Sequence, residues 1–276
     1  VVNLGERHLA VGIIDHEGNV GVRDRVVTPS RDRLTALTRL VQRVLAATPA
    51  EQRPILCAAT GPGPVDEELG GFAPIGDNEW SGLPIRDSIT EVVGCPTILE
   101  STGRAYALAS SEGSSAIGLH LGDDVDGGVV VGGRLLQGER GSAGAFAHLA
   151  VDVEGRPCVC GKSGCLDSYA SVRGIEATTG RGLVSTPSSL ITQSGMMVAR
   201  ACASLAAMMD IQRFRIGGVV VEAFRETFIE SIRDELVERT RLTHLKHLDV
   251  SVAQLHVLAG ASAVALAADS ARLDSA

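Results

Sequence analysis

A mostly apolar run from His8 to Asp15 breaks at the polar run His16-Glu-Gly-Asn19, and a second segment returns from Val20 to Thr28. Two short segments flanking a polar turn predict a pair of strands. Leu34, Leu37, Val41 and Val44 then recur at helical spacing, predicting an amphipathic helix capped by Ser30 and running to about Ala47. A short apolar strand over 55–59 ends in Thr60-Gly-Pro-Gly-Pro-Val65, a loop of special backbone geometry rather than an element. Helices are predicted over 85–93 and 102–111, with a strand over 96–99 between them. The second half repeats the theme. Segments 116–121 and 128–131 predict a hairpin around the acidic loop Gly122-Asp-Asp-Val-Asp-Gly-Gly128. A helix is predicted near 166–172, then a polar passage over 177–189 and a long helix over 191–209. That helix carries Met197, Ala201, Leu205 and Met208 on one face, and a strand over 214–216 follows, ending in Gly217-Gly218. Further helices are predicted to about Thr240. Alternating helices and strands predict an α/β fold, and two similar halves fit the pattern.

Composition narrows this. At 276 residues the chain has ample length for a real core, divided into one large or two moderate domains. Hydrophobic content of 45% and charged content of 21% are those of an ordinary globular protein, and aromatics at 3% leave the core to Val, Leu, Ile and Ala. The net charge is −8 with no Lys/Arg block, which argues against nucleic-acid binding by this chain alone and against an anionic membrane. No apolar run reaches the roughly 18 residues a membrane span needs. The sequence opens on Val with no signal peptide, and three of six cysteines cluster in one stretch, so a reducing cytoplasm is the expected compartment.

That stretch organises the chain: His148-Leu-Ala-Val-Asp-Val-Glu-Gly-Arg-Pro-Cys158-Val-Cys160-Gly-Lys-Ser-Gly-Cys165-Leu-Asp167. Zinc takes four tetrahedral sulfur and nitrogen ligands in closed structural sites. His148, Cys158, Cys160 and Cys165 make such a set, and Gly161 and Gly164 let the turn double back. A Cys158–Cys160 disulfide would be a strained ring in a chain that nothing marks as secreted. Structural zinc is therefore the expected cofactor.

These residues resemble the ROK family (repressors, open reading frames and sugar kinases) of the actin-like ATPases. His148 with Cys158-x-Cys160-Gly-x-x-Gly-Cys165-Leu-Asp167 is similar to the family's zinc signature in every ligand. Thr60-Gly-Pro-Gly-Pro-Val-Asp66 resembles its sugar-side loop, Asn78-Glu-Trp80-Ser-Gly-Leu-Pro a loop beside the sugar, and Gly217-Gly218 its adenosine-side glycines. Gly260-Ala-Ser-Ala263 resembles the closing helix. The resemblance implies a two-lobed actin-like (ribonuclease-H-like) fold with a zinc-bound loop. Its N-terminal lobe would span 1–112, joined by a closing helix over 258–276, and its zinc-bearing C-terminal lobe 113–257. A homo-oligomer is also implied.

Departures from the family pattern set the functional expectation. The first phosphate loop, Asp-x-Gly-Gly-Thr-Lys in family kinases, is Asn3-Leu-Gly5-Glu6-Arg7-His8 here; the second, Gly-Thr-Gly-x-Gly, is Gly122-Asp123-Asp124-Val125-Asp126. The kinase Glu-Asn-Asp becomes Glu100-Ser101-Thr102, so no catalytic residue is assigned and Thr102 occupies the usual Asp position. A carboxylate about 4 Å from a phosphate oxygen costs about 4 kcal/mol at an effective dielectric near 20, which makes ATP unexpected. Losing a positioned base costs about 10²–10⁴-fold in rate. Gly63, Ser101, His148 and Asp167 remain as the sugar-binding candidates, with an N-cap role as the alternative for Asp167 and a helix start for Ser101 and Thr102. The expected function is thus a non-catalytic ROK domain, either the sugar-sensing body of a transcriptional regulator or a pseudokinase. A regulator would carry a winged helix-turn-helix ahead of Val1. The alternative reading is an ATP-dependent, glucokinase-like sugar kinase with an atypical nucleotide site.

Overall fold

The computed structural model describes residues 1–75, 79–241, 243–245 and 247–274, so Asn78 and the last two residues of the expected closing helix lie outside the described residues. The chain divides into two compact units, one of residues 1–109 with 255–276 and one of residues 110–254. In the first, β1 (Val2–Leu4), β2 (His8–Ile14), β3 (Val20–Val27), β4 (Cys57–Gly61) and β7 (Thr97–Ser101) form a sheet in the order β3-β2-β1-β4-β7. The three leading strands are antiparallel neighbours, and β1, β4 and β7 run parallel. In the second, β8 (Ala116–Leu121), β9 (Val125–Val131), β10 (Arg134–Leu135), β11 (Arg213–Gly217) and β12 (Asp249–Val252) are ordered β10-β9-β8-β11-β12. The antiparallel and parallel pairings repeat in the same sequence. Each unit is therefore the same five-stranded design, a meander followed by two parallel crossovers. The short ribbon β5 (Val65–Asp66) and β6 (Gly71–Phe72) is an insertion in the first unit.

In the first unit α1 (Arg33–Ala46) turns Leu37, Leu40, Val41 and Val44 against Leu9 and Val11 of β2, and α2 (Ile85–Val93) adds Ile85 and Ile89. The expected Ser30 cap is corrected: α1 starts after Asp32, which sits at φ 55° and makes no side-chain cap bond. The opposite sheet face is covered by α3 (Thr102–Ser110) and α8 (Ala259–Asp274) through Ala58, Ala105, Val264 and Ala265. Small residues let these helices approach. A β-carbon at Gly260 would lie 3.1 Å from Ala105 Cβ.

In the second unit α6 (Ser188–Met209) and α7 (Val219–Arg239) bury Val198, Cys202, Phe224 and Phe228 with Ile117, Phe214 and Ile216 of the sheet. Helix α7 is broken at Arg225, whose φ of 50° is not helical. The helix expected near 166–172 is two: α4 (Asp167–Ala170) and α5 (Val172–Thr179), the latter capped by Ser171 Oγ accepting the Gly174 N–H at 2.9 Å. Among the described residues no helix is long and apolar enough to cross a membrane.

Candidate functional site

The carboxyl ends of parallel strands are where α/β sheets present their ligand crevices. In the first unit, β1, β4 and β7 end at Leu4, Gly61 and Ser101. Asn3 pairs in register with Thr60, and the Thr60 hydroxyl donates to Asn3 Oδ1 at 3.1 Å. The loop leaving β4 folds onto the end of β7. Gly63 approaches so closely that a β-carbon there would fall 2.4 Å from Ser101 Cβ. The Thr102 hydroxyl donates to Gly61 O at 3.0 Å, and Ser101 Oγ accepts the Arg104 N–H at 3.3 Å, capping α3. Beneath this corner Glu100 and Arg104 form a buried ion pair at 2.7 Å, with Glu100 also accepting the Ser101 N–H at 2.8 Å. Removing one partner of a buried pair leaves an uncompensated charge, worth about 3–5 kcal/mol. Gly63, Ser101 and Thr102 are thus brought together, on a rigid base that the sequence reading missed.

The second unit carries the acidic hairpin between β8 and β9. Asp167, 3% exposed, turns one carboxylate oxygen to the Val125 N–H at 2.9 Å and the other to Arg173 at 3.6 Å. It ties the hairpin down and does not cap α4, whose N-terminus has no side-chain cap bond. Asp124 is partly buried; desolvation, and secondarily the Asp126 charge, push its carboxyl up to about 6. Burial lowers His120, at the end of β8, to about 4, so its ring is neutral near pH 7. Gly218, at φ 103°, lies against this hairpin: a β-carbon there would stand 2.5 Å from Leu121 O.

The metal set is assembled in the same unit. His148, Cys158, Cys160 and Cys165 bring one ligand atom each to within 4.8 Å of one another. His148 Nδ1 lies 3.5 Å from Cys158 Sγ, and Cys160 Sγ lies 3.7 Å from Cys165 Sγ. A tetrahedron with metal–sulfur bonds of about 2.3 Å has sulfur–sulfur edges of about 3.8 Å, so the donors fit zinc. All three thiols are free, which disposes of the disulfide. Burial and the neighbouring sulfurs push Cys165 up to about 12, whereas the Lys162 N–H holds Cys160 below the usual thiol range. Three sulfurs this close ionise together only around a cation. The turn depends on Gly164 at φ 75°, where a β-carbon would fall 1.5 Å from Asp152 O. Tyr169 closes the loop from behind, accepting the Arg156 N–H at 3.0 Å and donating to Asp152 at 2.8 Å.

Known proteins share this design. The chain is 27% identical over 267 residues to N-acetylmannosamine kinase of Salmonella typhi, covering 88% of this chain and 90% of the relative. The solved ROK hexokinase of Thermus thermophilus superposes with a TM-score of 0.81 at 27% identity, over 99% of this chain and 98% of that one. A ROK family transcriptional regulator, homolog of the E. coli MLC protein, matches with a TM-score of 0.79 over 97% of this chain and 77% of that one. At 22% identity this is a likeness of fold alone.

These matches correct the expected function. Of the three, the two above 25% identity are named as sugar kinases, so the reading as a non-catalytic regulator body or pseudokinase, and with it the exclusion of ATP, is overturned. The actin-like α/β architecture stands. The ROK family model matches residues 1–269, and the chain belongs to the ROK family.

Proposed function

We propose that this protein is an ATP-dependent sugar kinase acting on a hexose or N-acetylhexosamine. The observation that carries the reading is the corner where the Gly61–Pro64 loop closes on Ser101 and Thr102 at the carboxyl edge of the first sheet. Kinship with an N-acetylmannosamine kinase and a hexokinase supports the substrate class.

Phosphoryl transfer runs through a loose transition state, so positioning and charge neutralisation carry most of the catalysis. The corner supplies positioning. Backbone groups of the Gly61–Pro64 loop and the Ser101–Thr102 pair are fixed by the Glu100–Arg104 pair beneath. Thr102 donates its proton to Gly61 O and has no basic form near pH 7, so it orients and does not deprotonate the sugar hydroxyl. Turnover is accordingly slow for a kinase of this kind, by about 10²–10⁴-fold. Asp124 and Asp126 make the acidic hairpin repel free phosphates, so ATP enters as its magnesium complex.

Zinc held by His148, Cys158, Cys160 and Cys165 fits as structure, since four protein donors leave no open position. His148 turns its Nδ1 to this metal set. The experiment is sugar-dependent ADP formation with Mg-ATP across glucose, mannose, N-acetylglucosamine and N-acetylmannosamine. Turnover with at least one supports the reading; background rates with all four refute it.

A further inference from the structure

Arg33 opens α1, the worst place on a helix for a cation, because the unsatisfied N–H groups there carry partial positive charge. Its partners explain the placement. Its Nε lies 3.0 Å from a Glu79 carboxylate oxygen and 3.2 Å from Pro29 O, and one terminal nitrogen lies 3.4 Å from Glu6. The guanidinium carbon stands 5.4 Å from the centroid of the Trp80 ring, within cation–π range. Trp80 is fully buried and the Arg33 side chain is 12% exposed, so the cation–π contact is largely out of water, while the Glu79 side chain is 52% exposed.

Both ends of this contact lead to the proposed site. Glu6 lies in the turn between β1 and β2, whose neighbours Gly5 and Arg7 are stitched to Thr28 through bonds of 2.6 and 3.0 Å. Glu79 and Trp80 run into Ser81, which bridges to Phe72. Phe72 packs under the Gly61–Pro64 loop, where a β-carbon at Gly61 would meet its ring at 2.5 Å, and the Ala73 N–H donates to Pro64 O at 2.8 Å. A continuous set of packed and bonded groups thus joins Arg33 to the loop that closes on Ser101.

We propose that Arg33 is a positioning residue: by gripping Glu6, Glu79 and Trp80 together it fixes the Glu79–Ser81 segment and sets the sugar affinity of the Gly61–Pro64 corner. The affinity half rests on the sugar-kinase reading; the loop half does not.

Trp80 is the chain's single tryptophan, so its fluorescence reports this loop alone. The full chain, zinc-loaded, is compared with Arg33→Met and with Glu79→Gln. Arg33→Met should red-shift Trp80 emission, increase acrylamide quenching and raise the sugar KM about tenfold with kcat within about twofold, the size of one desolvated cation–π contact. Glu79→Gln should move the same readouts less. Should Arg33→Met fail to fold, Arg33→Lys keeps the charge without the planar fork and should give an intermediate shift. Trp80 emission and quenching unchanged in the folded Arg33 variant, or a fall in kcat at constant KM, would overturn the proposal. Absence of turnover in the parent chain defeats the kinase reading alone, and Trp80 emission then decides the loop pin.

Discussion

Gly63 and Ser101 are packed backbone to side chain, with room for no β-carbon at 63: one placed there would stand 2.4 Å from that of Ser101. The contact joins the loop after β4 to the end of β7, two strands that pair in parallel from Cys57–Thr97 to Gly61–Ser101. Gly63→Ala must push the loop off the corner. Overpacking of this kind costs about 1–3 kcal/mol. The expected outcome is a lower urea midpoint together with a sugar KM raised at least several-fold. A variant with parental stability and KM would show that the loop does not close on the sugar.

Thr102 offers a gain-of-function test. Its hydroxyl is tied to Gly61 O, and in the proposed kinase reading it stands in for the family's base. Thr102→Asp should raise kcat, with a ceiling of about 10²–10⁴-fold, while KM changes little. Steady-state kinetics decide it. An unchanged or lower kcat would mean that the attacking hydroxyl does not sit at this position.

Metal binding can be tested without activity. Purified protein should hold about one zinc per chain, and a chelator strong enough to remove it should lower the melting temperature, because structural zinc binding is coupled to folding. Cys160→Ser should lose the metal or aggregate. Gly164→Ala should do the same with every ligand intact, since its β-carbon has no space beside Asp152 O. Full zinc occupancy in Gly164→Ala would refute the proposed role of this turn.

Asp124 predicts a pH dependence of stability. Its carboxyl is raised to about 6 in the folded chain against an ordinary 3.8, so between those values the folded state binds more protons than the unfolded one. Stability from this group is therefore present at low pH and lost as pH rises through 6. Asp124→Asn removes the penalty. The variant should be more stable than the parent at pH 7.5 by on the order of 1–3 kcal/mol, the difference closing toward pH 4. Comparing the two chains cancels the opposing contribution of His120. A difference independent of pH would show that Asp124 is not desolvated.

The parts legible in the sequence were those written in local chemistry. Four potential metal donors within eighteen residues, with glycines between, suggest a metal-binding turn by identity and spacing, and their ligand atoms lie within 4.8 Å of one another. Helix α2 was legible to the residue, because Ile85 and Ile89 are buried one turn apart and Gly94 ends it in a left-handed turn. The repeated sheet order was not, since β1 has three residues and β12 four, too short for a period of two to register. Nor could spacing show Asp167 bonded to Val125, forty-two residues away, or Arg104 buried against Glu100. The functional reading failed for a different reason: departures from a motif are visible in one sequence, but the kinship with sugar kinases that overturned it is visible only by comparison.

The central claim is tested most directly by product detection. The zinc-loaded 276-residue chain is incubated with Mg-ATP and N-acetylmannosamine or glucose at high enzyme concentration, and the sugar is analysed by mass spectrometry and phosphorus NMR. The account predicts a sugar phosphate formed in step with ADP, slowly in the parent and faster in Thr102→Asp. ADP without sugar phosphate, or neither product from parent and variant alike, would contradict it.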